Sequence, residues 1–505
     1  MLARTWSVGL AGVTGALVEV EVDIANGLPG TVLVGLPDAV VRQSLDRVRA
    51  ALGNTGLDFP QRRVTIGLSP ASMPKQGSGF DLAIAVAVLA ASGTLPEGCA
   101  DDVVFLGELG LDGGVRAVRG VLPAVLAAAR AGRRRVVVPA ENADEAALLP
   151  GTEVVAVDDL GQVLGHLSGK RRLAAHVRAP GPPVPPGPDL ADVVGQATGR
   201  RAVEVAAAGG HHLLLSGPPG AGKTMLAERL PGLLPPLDEA TATEVTAIAS
   251  VAGTLPGGAP LVSRPPFEAP HHSATTVSLV GGGSGQIRPG ALSRAHAGVL
   301  FLDEAPEFPR AVLDTLRQPL ERGSVTIHRA HGSATFPCRV QLVLAANPCP
   351  CASAAGDTAC TCSSLERRRY GSRLSGPLLD RIDLRVELPP VTRAAWLDAV
   401  AAPEATAVVA ARVAAARAVA AQRLAGTGLR TTGEVPGRLL RERWPVPRAA
   451  LVLAERALER GALSLRGFDR VLRVAWTLSD LAGRDVPGTD EVTEALGLRL
   501  QRVTA

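Results

Sequence analysis

The chain contains 505 residues, 46% hydrophobic and 20% charged, with a formal net charge of +4 at pH 7. This length predicts about three domains, and the composition excludes a wholly disordered or fibrous protein. The small net charge does not by itself indicate nucleic-acid binding. Only Lys75, Lys170 and Lys223 are lysines among the 52 basic residues, so these positions stand out as places where arginine does not serve.

Cysteine content and hydropathy indicate the compartment. Six cysteines in a chain of this length do not form a disulfide framework. Near the N-terminus, Val18–Asp23 alternates as a strand does, which argues against a signal peptide. The longest apolar run, Leu82–Ala91, is about half of what a bilayer span requires. We therefore expect a cytoplasmic protein with reduced thiols and no membrane partner.

The first 170 residues alternate strand and helix patterns, which predicts a compact α/β domain. The predicted buried strands are Thr31–Gly35 and Val64–Leu68, with further strands at Val103–Leu106 and Arg133–Pro139. The predicted helices are Asp38–Leu52, Asp81–Ser92 and Leu122–Ala131. Six prolines within Ala179–Pro188 indicate a semi-rigid linker at 171–188. Strands and helices alternate again over 189–392, and the pattern over 393–505 is helical.

A phosphate-binding motif follows a short apolar strand at His212–Ser216. The motif is G-x-x-x-x-G-K-[ST] and precedes the helical stretch Met225–Leu230, which is the context that a P-loop requires. Its residues are Gly217, Pro218, Pro219, Gly220, Ala221, Gly222, Lys223 and Thr224. The glycines allow backbone N–H groups to cradle phosphate oxygens, Lys223 supplies a point charge and Thr224 a hydroxyl for Mg²⁺. The motif predicts ATP and Mg²⁺ as cofactors, against the alternative of a simple glycine-rich turn.

Two further apolar strands end in polar groups. Gly298–Leu302 leads into Asp303, predicted to hold the Mg²⁺ shell, and Glu304, predicted to polarise the attacking water. Gln341–Ala346 leads into Asn347, which could orient that water or simply begin an Asn-Pro turn. Arg381 follows a short apolar helix and could reach the γ-phosphate of a neighbouring subunit or be an ordinary surface arginine.

These motifs in this order resemble an AAA+ ATPase. The segments Ala269–Gly283, Arg288–His296, Asn347–Cys351 and Ser375–Asp383 resemble the magnesium-chelatase-like YifB/ComM family. The resemblance implies that Asn347 is sensor 1, Arg381 the arginine finger and Arg466 sensor 2, in a homo-hexameric ring. It also implies that His271–His296 is an insert in helix 2 and Val325–Phe336 a hairpin before sensor 1, both pointing into the ring pore.

The N-terminal region resembles the Lon-protease C-terminal fold, which is ribosomal S5 domain 2-like. Pro74–Asp81 and Gly107–Val118 carry this likeness. It places Gly79 at the position of the nucleophilic serine and Leu122 at that of the catalytic lysine, while Ser78 is one residue out of register. A serine without a base is a poor nucleophile, so we expect a non-proteolytic domain. Lys75 is expected to make a structural or phosphate contact.

Four clustered cysteines, Cys349, Cys351, Cys360 and Cys362, are either a structural Zn²⁺ site or four free thiols. C-x-C spacing is less typical of zinc than C-x-x-C. Cys338 and Cys99 are expected to be buried thiols.

The predicted fold class is therefore α/β. It comprises a Lon-protease-like domain at 1–170, a linker at 171–188, an AAA+ P-loop domain at 189–392 and a small helical lid at 393–505. The family resemblance implies an ATP-hydrolysing ring motor acting on branched or single-stranded DNA, a ComM-like branch-migration helicase in natural transformation and recombination. With 3% aromatic residues, phosphate contact is favoured over base stacking. The alternatives are a magnesium-chelatase-type ATPase subunit, an ATP-dependent Lon-like protease and a nucleotide-regulated binding protein.

Overall fold

The structure is a computed structural model that describes residues 1–179, 181, 185–283, 287–329, 332–351, 360–390 and 403–500. Parts of the predicted linker (180 and 182–184), the start of the predicted lid (393–402) and residues 501–505 lie outside the described residues. The described part is a mixed α/β protein with two large sheets and a C-terminal group of helices. Among the described helices, none is long and apolar enough to cross a membrane.

The first sheet has seven strands in the order β3-β4-β2-β1-β5-β8-β9. The strands of this region are β1 (Leu2–Ala11), β2 (Thr14–Ala25), β3 (Gly30–Val34), β4 (Arg63–Ser69), β5 (Val103–Phe105), β6 (Glu108–Leu109), β7 (Val115–Arg116), β8 (Arg135–Pro139) and β9 (Glu153–Val157). Its helices are α1 (Ala39–Asn54), α2 (Asp81–Ala91), α3 (Val121–Arg130), α4 (Ala143–Ala146) and α5 (Leu160–Leu167). β2 is antiparallel to β1 and β4, and the other pairs of the sheet are parallel.

The prediction that the strand at Thr31–Gly35 is buried is wrong. β3 lies at the edge of the sheet and pairs only with β4 among the described strands. Val32 and Val34 are each 47% exposed. An apolar run predicts a strand but does not tell an edge strand from a central one, because burial depends on neighbours distant in sequence. α2, by contrast, is buried along almost its whole length, as its continuous apolar run predicts.

The second sheet has five strands in the order β11-β14-β17-β10-β18, and every pair in it is parallel. The strands of this region are β10 (Leu213–Ser216), β11 (Phe267–Glu268), β12 (Gly281–Gly282), β13 (Arg288–Pro289), β14 (Val299–Leu302), β15 (Ser324–Arg329), β16 (Gly332–Pro337), β17 (Gln341–Ala346) and β18 (Leu384–Glu387). Its helices are α6 (Ala197–Gly209), α7 (Lys223–Leu233), α8 (Glu239–Ala252), α9 (Thr276–Val280), α10 (Ala291–Arg294), α11 (Arg310–Asp314), α12 (Arg317–Arg322), α13 (Ser364–Gly371) and α14 (Gly376–Leu379). The predicted hairpin is present, because β15 pairs antiparallel with β16.

The C-terminal helices pack against the second sheet through one shared core. They are α15 (Thr406–Leu424), α16 (Gly437–Arg443), α17 (Arg448–Glu459), α18 (Leu465–Leu481) and α19 (Thr489–Leu500). Val409 and Val413 of α15 lie in the same buried cluster as Val205 of α6 and Leu215 of β10. Because this apolar surface is continuous, the helical group is joined to the sheet by hydrophobic burial.

The two sheet regions also contact each other, through Glu145 of α4. Its carboxylate accepts hydrogen bonds from the backbone N–H of Leu122 at 2.8 Å and from the hydroxyl of Ser250 in α8. Burial raises the pKa of Glu145, an effect that these hydrogen bonds oppose. Ser250 belongs to the second region, so this carboxylate joins the start of α3 to the neighbouring helix.

Candidate nucleotide site

The predicted P-loop connects the end of β10 to the start of α7. Gly217, Gly220 and Gly222 have φ values of +159°, +78° and +86°. A Cβ atom on Gly217 would lie 2.6 Å from the carbonyl oxygen of Leu388, so only glycine fits there. The backbone can therefore wrap before the helix begins, and the N-terminus of α7 presents N–H groups suited to an anion.

Lys223 is buried within this loop. Its Nζ donates to the carbonyl oxygens of Gly217 at 2.6 Å and Pro218 at 2.9 Å, and to Oδ1 of Asn347 at 3.0 Å. Burial lowers the pKa of Lys223, while the charges of Asp303 and Glu304 act in the opposite direction. The predicted sensor residue is thus in direct contact with the P-loop lysine.

Thr224 and Asp303 supply the predicted Mg²⁺ ligands. The Thr224 hydroxyl donates to Oδ2 of Asp303 at 2.8 Å, although the two residues are 79 positions apart. A hydroxyl beside a carboxylate is a set of hard oxygen donors, which fits Mg²⁺. The parallel sheet explains the contact, since β17 lies between β10 and β14 and all three strands end at one edge.

Glu304 follows directly and adopts a left-handed conformation with φ of +50°. Such a conformation is uncommon outside glycine and often marks a functional constraint. One carboxylate oxygen of Glu304 lies 3.2 Å from Nδ1 of His272, in the segment before α9. The ring of His272 packs against that of His271, with centroids 4.0 Å apart. Sequence reasoning missed this histidine, because 32 positions separate it from its partner.

The structure does not place Arg381 with these groups within one chain. Its guanidinium donates to the backbone carbonyls of Arg317, at 3.1 Å, and Pro377, and it pairs with Glu321. Arg466 is exposed in the first turn of α18, and no hydrogen bond or ion pair within the described residues joins it to the P-loop.

Asp383, two positions beyond Arg381, is a second residue to which sequence reasoning gave no role. It is 2% exposed, and its Oδ1 lies 2.5 Å from the guanidinium of Arg470 in α18. Its Oδ2 lies 3.5 Å from Nδ1 of His211. Burial alone would raise its pKa, but His211 and Arg470 outweigh burial, so the pKa is held well below its usual range. The pair joins the segment before β18 to the C-terminal helices.

The four clustered cysteines lie close together beyond Asn347. Their Sγ atoms all lie within 4.8 Å of one another, a grouping compatible with zinc. Cys338 is buried as expected, whereas Cys99 is only half-buried, since it lies in the turn after α2.

The region predicted to be Lon-like has a cavity of about 340 Å³, lined by Ser78, Gly79 and Val121 and by Arg288 of the second region. Lys75 is buried elsewhere, where its Nζ donates to the carbonyl oxygens of Leu68, at 2.9 Å, and Pro70. Of the two roles expected for Lys75, the structure therefore shows a structural contact.

Three family models match the chain, and all describe the magnesium chelatase subunit ChlI. They cover residues 20–142, 189–396 and, for the C-terminal part of that subunit, 403–499.

Similar proteins extend over nearly the full length. An uncharacterized protein of Mycobacterium tuberculosis is 54% identical over 498 residues, covering 99% of this chain and 98% of the relative. Competence protein ComM of Haemophilus influenzae is 40% identical over 510 residues (99% and 97%), and YifB of Escherichia coli 39% over 488 residues (97% and 95%). A Lon protease of Rhizobium meliloti is 26% identical over 166 residues, covering 30% of this chain and 20% of that protease. The chain belongs to the YifB/ComM family of magnesium-chelatase-like AAA+ ATPases.

Proposed function

We propose that this protein is a ring-shaped motor that hydrolyses ATP and acts on DNA, as a ComM-like branch-migration helicase. The observation that carries the hydrolytic part is the convergence of Lys223, Thr224, Asp303 and Asn347 at one edge of a parallel sheet, with Glu304 adjoining. Ligands of open parallel sheets bind at this edge. A magnesium ion held by Thr224 and Asp303 would neutralise phosphate charge.

Each residue has a separate task in the proposed hydrolysis. Lys223 exchanges its contacts with the loop carbonyls for phosphate oxygens, and Glu304 accepts a proton from the attacking water. Asn347 orients that water from its place beside Lys223. Arg381 completes the site of the next subunit in a homo-hexamer, by leaving Glu321 and extending toward the γ-phosphate.

The DNA part of the proposal is supported by two adjacent hairpins. Arg329 of β15 lies over Gly282, which pairs directly with Arg288 on the neighbouring hairpin. Both arginines and His328 are exposed. Exposed arginines on neighbouring hairpins suit a phosphate backbone. The Haemophilus influenzae relative is named competence protein ComM, which also supports the DNA part of the proposal.

The test is the ATPase rate of the full chain without DNA and with single-stranded, duplex and branched DNA. We expect branched DNA to stimulate turnover and ATP to drive strand movement on a Holliday-type junction. Glu304→Gln should abolish hydrolysis while retaining ATP binding in the assembled ring. No stimulation by any DNA together with no strand movement would overturn the DNA assignment and leave the ATPase standing.

A magnesium-chelatase-type subunit is the second candidate, because every matched family model describes ChlI. It predicts ATPase activity that does not respond to DNA, and it predicts insertion of a metal ion when partner subunits are present.

The protease alternative is disfavoured by Gly79 and Leu122, which lack the serine and lysine groups. Casein turnover dependent on Ser78 would restore it, and tight ATP binding with negligible turnover would favour the nucleotide-regulated binding protein. A zinc ion at the four cysteines would be structural and would not take part in the bond-breaking chemistry itself.

A further inference from the structure

The four cysteines after Asn347 form a compact tetrad. The Sγ atom of Cys349 lies 3.1 Å from that of Cys351 and 3.4 Å from that of Cys360, and Cys351 lies 3.6 Å from Cys360. Cys362 belongs to the same group, within 4.8 Å of the others. A tetrahedral zinc ion with Zn–S bonds of about 2.3 Å needs Sγ–Sγ separations of about 3.8 Å. The tetrad therefore needs only small shifts to enclose one ion.

The chemistry of this donor set selects the metal. No disulfide bond joins any of the six cysteines, all of which lie in the described part of the chain. Four thiolates suit zinc or iron rather than Mg²⁺ or Ca²⁺. Cys349 is buried while Cys351 is exposed, so the tetrad lies at the protein surface.

The tetrad also joins two parts of the nucleotide site. Cys349 is two residues beyond Asn347, whose side chain contacts Lys223. On the other side, Cys362 immediately precedes Ser363, which caps α13 through a reciprocal pair of hydrogen bonds with Glu366. A metal bound here would fix the end of β17 and the start of α13 relative to each other.

Beyond α13, the chain contacts the turn that follows Glu304. Arg373 donates to the carboxylate of Glu307 at 2.8 Å and to the carbonyl of Pro306 at 3.2 Å. The backbone N–H of Glu307 donates in turn to the carbonyl of Glu304 at 2.7 Å. The segment from the tetrad to Arg373 therefore contacts the surroundings of both Asn347 and Glu304.

We propose that Cys349, Cys351, Cys360 and Cys362 bind one zinc ion, which positions Asn347 and α13 for the hydrolytic step. The cysteines are positioning residues, since they act through Asn347 and α13. Loss of zinc lowers the kcat of ATP hydrolysis by about tenfold, because displacement of about 1 Å at a reacting centre is costly. The KM for ATP changes little, because the P-loop backbone that cradles the phosphates is held between β10 and α7.

The first experiment measures the metal itself. The full-length protein, purified under reducing conditions, should contain one zinc ion per chain by elemental analysis. Replacement with Co²⁺ should give the visible bands of a tetrahedral cobalt thiolate. Cys351→Ser should lose the ion, whereas Cys99→Ser, the matched control in the other sheet region, should retain it. Absence of bound metal together with absence of the cobalt spectrum would overturn the site, and iron in place of zinc would overturn the choice of ion.

The second experiment tests positioning. ATPase kinetics are compared for Cys351→Ser, Cys99→Ser and wild-type protein from which zinc has been displaced by a mercurial and then restored. We expect kcat to fall when the metal is removed and to recover when it is restored, at nearly constant KM. Hydrogen exchange of the backbone amides in α7 should be the same with and without the metal. Unchanged kcat in the zinc-free protein would refute the positioning role. These readouts use ATP alone, so they are independent of whether DNA is the substrate.

Discussion

Nδ1 of His272 lies 3.2 Å from Oε2 of Glu304, which joins the segment before α9 to the carboxylate expected to activate water. Both side chains are more than one-third exposed, so this contact contributes about 0.2–1 kcal/mol when the imidazole carries a proton. It also occupies an oxygen that must be available to accept a proton. The pair thus restrains the side chain of Glu304.

Removing the imidazole should release this restraint. We expect His272→Ala to raise the basal ATPase rate by about two- to fivefold, in line with the energy of an exposed pair. His271→Ala is the control, since His271 contacts Ser273 and the His272 ring but not Glu304. Steady-state kinetics without DNA provide the measurement, and equal rates for both variants would contradict the restraint.

The P-loop lysine should not tolerate arginine. The Nζ of Lys223 has three oxygen acceptors within 3.0 Å in a buried loop, where a planar guanidinium has no room. Lys223→Arg should reduce ATP turnover by about 100-fold or more. Lys170→Arg, at an exposed position, should leave turnover unchanged. If Lys223→Arg were fully active in ATPase assays, the assigned role of the lysine would be wrong.

The sequence predicts the local parts of this site better than the contacts between them. Periodicity and glycine spacing predict β10, the loop and α7, because strand, turn and helix signals are local. The order of the strands follows from long-range packing, so the contact of Thr224 with Asp303 was expected only from the motif. The contacts of His272 with Glu304 and of Asp383 with Arg470 join distant segments and have no local signal in the sequence. Only the clustering of four cysteines in the sequence suggested the tetrad, because their C-x-C spacing is less typical of zinc than C-x-x-C.

Arg381 should act across a subunit boundary. Within one chain it is bound to the carbonyl of Arg317 and to Glu321, away from the contacts of Lys223. Arg381→Ala should lower kcat by about 1,000-fold with ATP binding retained. Arg317→Ala on neighbouring α12 serves as the control.

Mixing distinguishes action in trans from action in cis. In a ring that combines Arg381→Ala and Glu304→Gln subunits, some interfaces hold an intact Glu304 and an intact Arg381. We expect such mixtures to hydrolyse ATP although neither variant does so alone. Persistent inactivity of the mixed rings, with assembly verified by light scattering, would argue that Arg381 does not act between subunits.

Asp383 should contribute to stability in a pH-dependent manner. Its buried carboxylate pairs with Arg470 at 2.5 Å, and removal of one partner from such a pair costs about 3–5 kcal/mol. Because the folded-state pKa is held below the ordinary value of 3.8, the contribution is present above that value and is lost as the pH falls below it. Asp383→Asn should therefore be destabilised at pH 7 and should differ less from wild type at pH 3. Urea unfolding at both pH values measures the difference in stability between Asp383→Asn and wild type. Asp490→Asn is the control, since the side chain of Asp490 is 88% exposed. A pH-independent difference between Asp383→Asn and wild type would show that the stabilisation comes from packing rather than from the charge.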